Sequence, residues 1–319
     1  MAQLTGASIG CRFAPLIFLK GVAMKRLILV GILVFGLTTV GSAWHLEGHH
    51  ILTLASVASL PNEIPSFFRE GAPSIAHMSL DPDMGKHKGT PHVRAAEYPE
   101  HFLDREMLKA DTLPESRYEY IKLCYEYNVA PEKIGLVPYA LGEWTERLAV
   151  AFAEHRKWPD NPHIKMKCLI YAGFVAHYAE DMCQPLHLTI HYNGRVQADG
   201  SVQQKGIHGK VDGLVSFLKM TPEALAKNQE VVPLENLMPG ILAQFNTGFA
   251  LVDHVYDLGE RIPNYDATEW EKDNEVIDFA VDRARESVRF TAQLYLTAWH
   301  LSESLKFDDY ITRAKWDGQ

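Results

Sequence analysis

The sequence predicts an all-α fold with one helical domain over residues 44–319. Apolar residues recur at helical spacing along most of the chain, whereas no segment alternates apolar and polar residues as a half-buried strand does. No internal repeat is found. A composition with 47% hydrophobic and 22% charged residues is typical of a globular domain.

Seven helices are predicted, in order, at 47–58, 114–127, 138–157, 163–184, 205–219, 240–259 and 269–305. The fourth is apolar on almost every side, as expected of a central buried helix, and Pro185 ends it. The last opens at Thr268 with Glu271 three residues later, a capping-box spacing. One face of it is apolar, through Val276, Ala280, Ala284, Val288, Tyr295 and Ala298. Two segments rich in glycine, proline, histidine and aspartate, 78–100 and 188–204, are predicted loops.

Residues 24–43 have the pattern of a secretory signal peptide, and residues 1–23 are interpreted as an extension of the gene prediction. Lys25 and Arg26 form a basic start, an apolar run follows, and small residues precede a predicted cleavage after Ala43. The apolar run is shorter than a typical membrane span, although an uncleaved anchor remains an alternative. Cleavage would export the protein, to the periplasm or out of the cell, with Trp44 as its first residue.

The charge argues against a protein that binds duplex DNA through its phosphates, and the cysteine content argues against a disulfide-stabilised protein. The net charge of −9 leaves no broad basic face, so binding to duplex DNA through phosphate contacts alone is not expected. After cleavage three cysteines remain, Cys124, Cys168 and Cys183, and an odd number argues against a disulfide framework. Buried thiols are predicted, and one disulfide that includes Cys124 is the alternative.

The 15 histidines include two pairs with the spacing of metal ligands. His177 and Asp181 are four residues apart and lie on one helix face, and His187 follows just past the proline that ends this helix. His208 and Asp212 repeat the spacing of four. A hydrogen-bonded His–Asp pair in a polar core is the alternative for the first pair, and a solvated helix face is the alternative for the second.

Two further clusters add nitrogen and oxygen donors. The 79–104 segment carries Asp81, Asp83, His87, His92 and His101. The predicted mature terminus places His49 five residues after Trp44, whose free α-amine would titrate at about 7.7–8.0 and so could bind a metal near neutral pH. Mixed histidine and carboxylate sets with few sulfur donors favour hydrolytic zinc over closed structural zinc.

With these motifs the chain resembles the family of zinc-dependent phospholipase C and S1–P1 nucleases over roughly residues 44–300. Trp44 and His49 match the start of the family's mature chain. The segment from His177 through Asp181 to His187 matches its H-x3-D-x5-H motif. The later H-x3-D motif and the H-F-x-D motif are matched by His208 with Asp212, and by His101, Phe102 and Asp104.

One further acidic position of the family has two candidates here. In the nuclease branch this aspartate has a basic residue three positions later, which Asp83 and Lys86 match. Asp81 is the alternative, because the loop is longer than the usual family spacing. Five further histidines match no ligand position and are expected at the surface or supporting the ligands: His45, His50, His87, His92 and His191.

The resemblance implies an all-α fold that holds three Zn²⁺ ions. It assigns the first ion to Asp83, His101, His177 and Asp181. It assigns the second to Trp44, His49 and the bridging Asp181, and the third to His187, His208 and Asp212. A zinc-bridging hydroxide would attack phosphorus, with Asp83 orienting or deprotonating it and Lys86 neutralising phosphate charge.

The resemblance also implies the substrate class. The short gap after Trp44, the aspartate at position 212 and the interval from His187 to His208 favour a nuclease that releases 5′-nucleotides from single-stranded DNA or RNA. Phe102 would stack on a base and Asp104 would bind its edge, although core packing is the alternative for Phe102. Phospholipase C acting on phospholipid head groups is the alternative function, and a non-catalytic zinc-binding protein is the second. A monomer without a stable protein partner is expected.

Overall fold

A computed structural model of the protein describes residues 44–110, 112–197, 199–308 and 311. The predicted leader, residues 1–43, lies outside the described residues, so the signal peptide, the cleavage after Ala43 and the upstream extension stay predictions. The structure is mostly helical, with 64% helix and 2% strand, which confirms the all-α fold class. Among the described residues, no helix has both the length and the apolar character needed to cross a bilayer.

Fifteen α-helices are present in the described part of the chain. They are α1 (His45–Ala58), α2 (Ser66–Glu70), α3 (Ala72–Met78), α4 (Asp81–Gly85), α5 (Pro91–Glu97), α6 (Arg117–Glu126), α7 (Pro131–Ile134), α8 (Val137–Lys157), α9 (Pro162–Cys183), α10 (Ile207–Asp212), α11 (Leu214–Phe217), α12 (Pro222–Ala226), α13 (Leu237–Phe249), α14 (Val252–Leu258) and α15 (Asn274–Leu301). Three 3₁₀ turns accompany them, at Tyr98–His101, Arg105–Met107 and Pro185–Leu188.

Helix α9 lies at the centre of the fold and packs against α1, α3, α8, α13 and α15. The Asn161 side chain caps its first turn by accepting hydrogen bonds from the main-chain N–H groups of His163 and Ile164. Most of its last two turns is buried, including His177, as its sequence predicts. The central position of α9 explains how its polar residues can meet groups from several other helices.

The predicted apolar face of α15 is confirmed, because all six residues of that face are fully buried. Its predicted start is wrong. The helix begins at Asn274, where the side chain of Asp273 accepts hydrogen bonds from the main-chain N–H groups of Glu275 and Val276. Asp273 satisfies the free donors of the first turn, and the capping box expected at Thr268 is not used.

Two predicted helices are interrupted. The 205–219 segment forms α10 and α11, which meet at Gly213, where a Cβ atom would lie 2.6 Å from the Cβ of Tyr265. The 240–259 segment forms α13 and α14, with a break at residues 250 and 251. The predictions for α1, α6, α8 and α9 are confirmed to within three residues at each end.

The two predicted loops contain regular structure. Residues 78–100 hold α4 and α5, each with a proline in its first turn, where a missing N–H costs nothing. The loop prediction for 78–100 was therefore wrong, because a proline at the start of a helix does not interrupt it. Residues 188–204 contain a short antiparallel hairpin of β1 (Arg195–Val196) and β2 (Val202–Gln203).

The three cysteines among the described residues lie in the protein interior. Cys124, Cys168 and Cys183 are all buried and free. Buried thiols were therefore the correct prediction, and the disulfide considered for Cys124 is not formed.

Candidate metal centre

Six chain segments bring histidine and aspartate side chains together beside the C-terminal half of α9. His49 comes from α1, Asp83 from α4 and His101 from the end of the 3₁₀ turn Tyr98–His101, while α9 supplies His177 and Asp181. The fifth segment is the 3₁₀ turn Pro185–Leu188, which carries His187, and the sixth is α10, which carries His208 and Asp212. Three groups result in which one donor atom per residue lies within 4.8 Å of the others: His49, Asp83 and His177; His101, His177 and Asp181; His187, His208 and Asp212.

The carboxylate of Asp181 is fully buried and faces histidines from both sides. Its Oδ2 lies 2.9 Å from Nδ1 of His101 and 3.4 Å from Nε2 of His177. Its Oδ1 lies 3.4 Å from Nε2 of His49. The two oxygens therefore point to different imidazoles, an arrangement that suits a carboxylate shared by two cations.

Asp83 is buried at the edge of the same cluster. Its Oδ1 lies 3.8 Å from Nε2 of His177 and 3.9 Å from Nδ1 of His101. Lys86, one turn further along, forms an ion pair with Asp83 and is itself buried. Asp81, the alternative, is half-buried at the start of α4 and belongs to none of the three groups. The structure thus brings Asp83, with Lys86, to the cluster.

The third group lies beside the first two. Nε2 of His208 is 3.0 Å from Oδ2 of Asp212, so the spacing of four on α10 produces a real contact. The His187 ring lies 4.9 Å from the His208 ring, and its Nδ1 donates to the main-chain oxygen of His101 at 2.7 Å. Gln184 donates to Oδ1 of Asp212 at 2.7 Å. Nε2 of His187 and Oδ2 of Asp212 are left without a hydrogen-bond partner.

Several polar atoms in the three groups have no hydrogen-bond partner, which bears on whether these residues could bind a metal. Among the described residues, fifteen buried side-chain nitrogen and oxygen atoms lack a hydrogen-bond partner, and seven of them belong to the three groups. They are Nε2 of His49, His101 and His187, both oxygens of Asp83, Oδ1 of Asp181 and Oδ2 of Asp212. Of these, Oδ1 of Asp83 forms the ion pair with Lys86. Buried polar atoms without partners are costly, so their concentration here fits side chains shaped to bind cations. Imidazole and carboxylate donors match zinc.

Trp44 is fully buried, and its indole N–H donates to the main-chain oxygen of Glu180 at 2.9 Å. This contact places the predicted mature terminus next to Asp181. The main chain of Trp44 has a left-handed conformation, with φ of 45°. The α-amine becomes available only after cleavage, so its role as a ligand stays a proposal.

The electrostatics of the cluster favour ionised carboxylates. Burial acts to raise the pKa of Asp181, but the nearby His177 and His187 hold that pKa well below its usual range. Burial alone would lower the pKa of His49, but the neighbouring carboxylates of Asp181 and Glu180 raise it to about 10. Burial lowers the pKa of His187 to about 4, although Asp181 opposes this. His187 is therefore neutral at pH 7, the form that binds metals.

The predicted substrate-binding residues lie next to His101. Phe102 is half-buried, and its ring meets the exposed ring of Tyr98 edge-on at 5.7 Å. Asp104 is half-buried, and burial, with a contribution from Glu106, raises its pKa to about 7. The pair of aromatic rings offers a surface on which a planar group could stack.

The five further histidines named from the sequence belong to none of the three groups: His45, His50, His87, His92 and His191. His45 packs edge-on against Tyr265 at 5.2 Å. Nδ1 of His87 accepts from the main-chain N–H of Gly89. His50 and His92 are exposed.

Sequence reasoning missed Glu180, which is fully buried and contacts His49 and Thr53. A signal for it exists, because a second acidic residue directly before Asp181 is unexpected in a helix that is otherwise apolar on almost every side. It also missed Gln184, whose contact with Asp212 depends on how the chain turns after α9.

Comparison with known proteins gives little similarity. No family model and no curated protein matches the chain. Among solved structures, a crystal structure of Clostridium perfringens alpha-toxin matches with a TM-score of 0.35 and 12% sequence identity, over 81% of this chain and 64% of that chain. The chain thus spans less than two thirds of the toxin's length. Similarity at this level does not assign a function.

Proposed function

We propose that the protein is a zinc-dependent phosphoric diester hydrolase. The observation that carries the proposal is the convergence of three buried histidine and aspartate groups, rich in unpartnered donor atoms, around the carboxylate of Asp181. A buried cluster of this kind is unfavourable unless cations neutralise it, and mixed nitrogen and oxygen donors are typical of hydrolytic zinc sites.

Three ions are proposed. Asp83, His101, His177 and Asp181 would hold the first, and His187, His208 and Asp212 would hold the third. Trp44, through its amine and carbonyl, would hold the second with His49 and Asp181. His49 belongs to the set proposed for the second ion, whereas Asp83 and His177 belong to the set for the first. Their close approach therefore supports two neighbouring ions.

Bound zinc would supply an activated water at neutral pH and positive charge for phosphoryl oxygens. Asp83, whose Oδ2 has no hydrogen-bond partner, would orient the attacking water or accept its proton. Lys86 would add a buried positive charge beside the phosphate, held in place by Asp83. None of these roles requires a serine or cysteine nucleophile.

Single-stranded nucleic acid is the substrate that the sequence motifs favour, and the half-buried Phe102 beside exposed Tyr98 would stack a base. The comparisons lend this preference no support. The alpha-toxin match, at a TM-score of 0.35, does not decide between nucleic acid and phospholipid. Both substrates therefore enter the test.

The first experiment separates an enzyme from a zinc-binding protein without activity. The protein beginning at Trp44 should hydrolyse bis-p-nitrophenyl phosphate, lose this activity to a chelator and regain it with zinc. Asp181→Asn, measured in parallel, should be inactive. A wild-type protein that binds zinc and hydrolyses no phosphodiester would overturn the proposal.

The second experiment separates the substrates. A nuclease releases 5′-nucleotides from single-stranded DNA or RNA, whereas a phospholipase C releases phosphocholine from phosphatidylcholine. Export is tested separately, because cleavage of the predicted signal peptide would give a secreted or periplasmic protein whose N-terminal sequence begins at Trp44.

A further inference from the structure

We infer that Glu180 is a positioning residue, whose carboxylate fixes the orientation and tautomer of His49 so that Nε2 of His49 faces the metal centre. The inference rests on the proposal that His49 binds a metal ion. Glu180 itself would not be a ligand, since both of its carboxylate oxygens are engaged by side chains of α1.

The contacts of Glu180 are short and completely buried. Its Oε2 lies 2.6 Å from Nδ1 of His49, and its Oε1 accepts a hydrogen bond from the hydroxyl of Thr53 at 2.9 Å. All three residues have no exposed surface. His49 and Thr53 are one turn apart on α1, so a single carboxylate from α9 spans one face of that helix.

The Glu180 carboxylate favours one tautomer of a metal-bound His49. An imidazole that binds a metal ion through Nε2 keeps its hydrogen on Nδ1, and Oε2 of Glu180, 2.6 Å from Nδ1, would accept that hydrogen bond. The lone pair for the ion is then on Nε2. That atom lies 3.4 Å from Oδ1 of Asp181 and has no hydrogen-bond partner. Carboxylates that hold a histidine in this way raise the affinity of the metal site.

The main chain of Glu180 makes a separate contact, because its carbonyl oxygen accepts from the indole of Trp44. Replacing the side chain leaves this carbonyl in place. A substitution at Glu180 therefore tests the hydrogen bond to His49 without removing the bond that holds Trp44 to α9.

The experiment measures zinc affinity by competition with a chelator, using the protein that begins at Trp44 at pH 8. Glu180→Ala should lower the zinc affinity of one site by about 10- to 100-fold. The other sites should keep their wild-type affinity. Glu180→Gln should retain most of the affinity, since an amide oxygen can still accept from Nδ1 of His49. Glu180→Gln also guards against the possibility that the alanine variant does not fold.

A double variant tests whether Glu180 acts through His49, with His49→Ala as the reference protein. If Glu180 acts through His49, adding Glu180→Ala to His49→Ala should weaken zinc binding no further. Imidazole ¹⁵N spectra of the metal-free protein give an independent readout, because the His49 signal should change on Glu180→Ala while the His187 signal does not.

Glu154→Gln is the matched control. Glu154 is a buried glutamate that pairs with Lys167, which lies about 15 Å along α9 from His177. This variant should leave all zinc affinities unchanged.

Two outcomes would overturn the inference: wild-type affinity for every ion in Glu180→Ala, or an equal further loss when Glu180→Ala is added to His49→Ala. A wild-type protein that binds zinc without hydrolysing phosphodiesters would refute the proposed function and leave this inference standing.

Discussion

Nδ1 of His101 lies 2.9 Å from Oδ2 of Asp181, although 80 residues separate the two in the chain. The other oxygen of Asp181 faces His49 at 3.4 Å. One buried carboxylate thus joins α9 to the 3₁₀ turn Tyr98–His101 and to α1. If cations occupy this region, Asp181 is the residue through which neighbouring ions are coupled.

Asp181→Asn should release two ions at once. An amide has the shape of the carboxylate but no charge, and it offers only one oxygen as a ligand. We expect the zinc affinity of both sites that share Asp181 to fall by at least about 10- to 100-fold, and most of the hydrolytic activity to be lost. Metal analysis after gel filtration measures the number retained, and circular dichroism controls for folding. Loss confined to the ion at His187, His208 and Asp212 would show that Asp181 is not a bridge.

Retaining residue 43 should remove one ion and most of the activity. The α-amine of Trp44 becomes an amide nitrogen in the longer protein, and an amide nitrogen is a poor metal ligand. The comparison is between proteins that begin at Ala43 and at Trp44, measured for zinc content and for hydrolysis of bis-p-nitrophenyl phosphate. A fully active protein with three ions that begins at Ala43 would exclude the terminal amine as a ligand.

A chelator should lower the melting temperature, and added zinc should restore it. Ions that bind only the folded protein stabilise it by mass action, by about 2.7 kcal/mol per site when free zinc is 100 times the dissociation constant. The free energy of unfolding should therefore rise with zinc concentration. Magnesium at the same concentration is the control. A melting temperature that is insensitive to both chelator and zinc would contradict metal binding at this cluster.

Asp104→Asn should stabilise the protein more at pH 8 than at pH 5. Burial raises the pKa of Asp104 from an ordinary value of 3.8 to about 7, so the folded state holds a proton that the unfolded state releases. Its contribution to stability is present below pH 3.8 and is lost as the pH rises to about 7. Urea unfolding of both proteins measures the difference. An equal difference at the two pH values would mean that Asp104 is not perturbed.

Phe102→Leu should distinguish a nuclease from a phosphodiesterase of other specificity. Stacking of a base on an aromatic ring contributes about 1–3 kcal/mol, so the KM for single-stranded DNA should rise at least about fivefold. Leucine keeps the ring's apolar packing, and hydrolysis of bis-p-nitrophenyl phosphate should stay unchanged. Equal effects on both substrates would assign Phe102 to the core instead.

Local spacing was enough to predict the central helix and part of the candidate site. The apolar character of 163–184 predicts burial, and a spacing of four puts His177 and Asp181 on one face, as α9 shows. It did not predict the break at Gly213 or the start of α15 at Asn274. Breaks and caps depend on what packs against a helix, as Tyr265 does at Gly213, and periodicity carries no such information.

The sequence by itself determined the all-α class and the spacing of the histidine and aspartate pairs, because both follow from the geometry of one helix. Only the tertiary structure decided that Asp83 and not Asp81 joins the cluster, and that Glu180 holds His49 from the neighbouring helix. These relations arise from packing between α1, α4 and α9. Contacts between segments 80 or more residues apart are set by how the helices bury their apolar faces, so local patterns do not contain them.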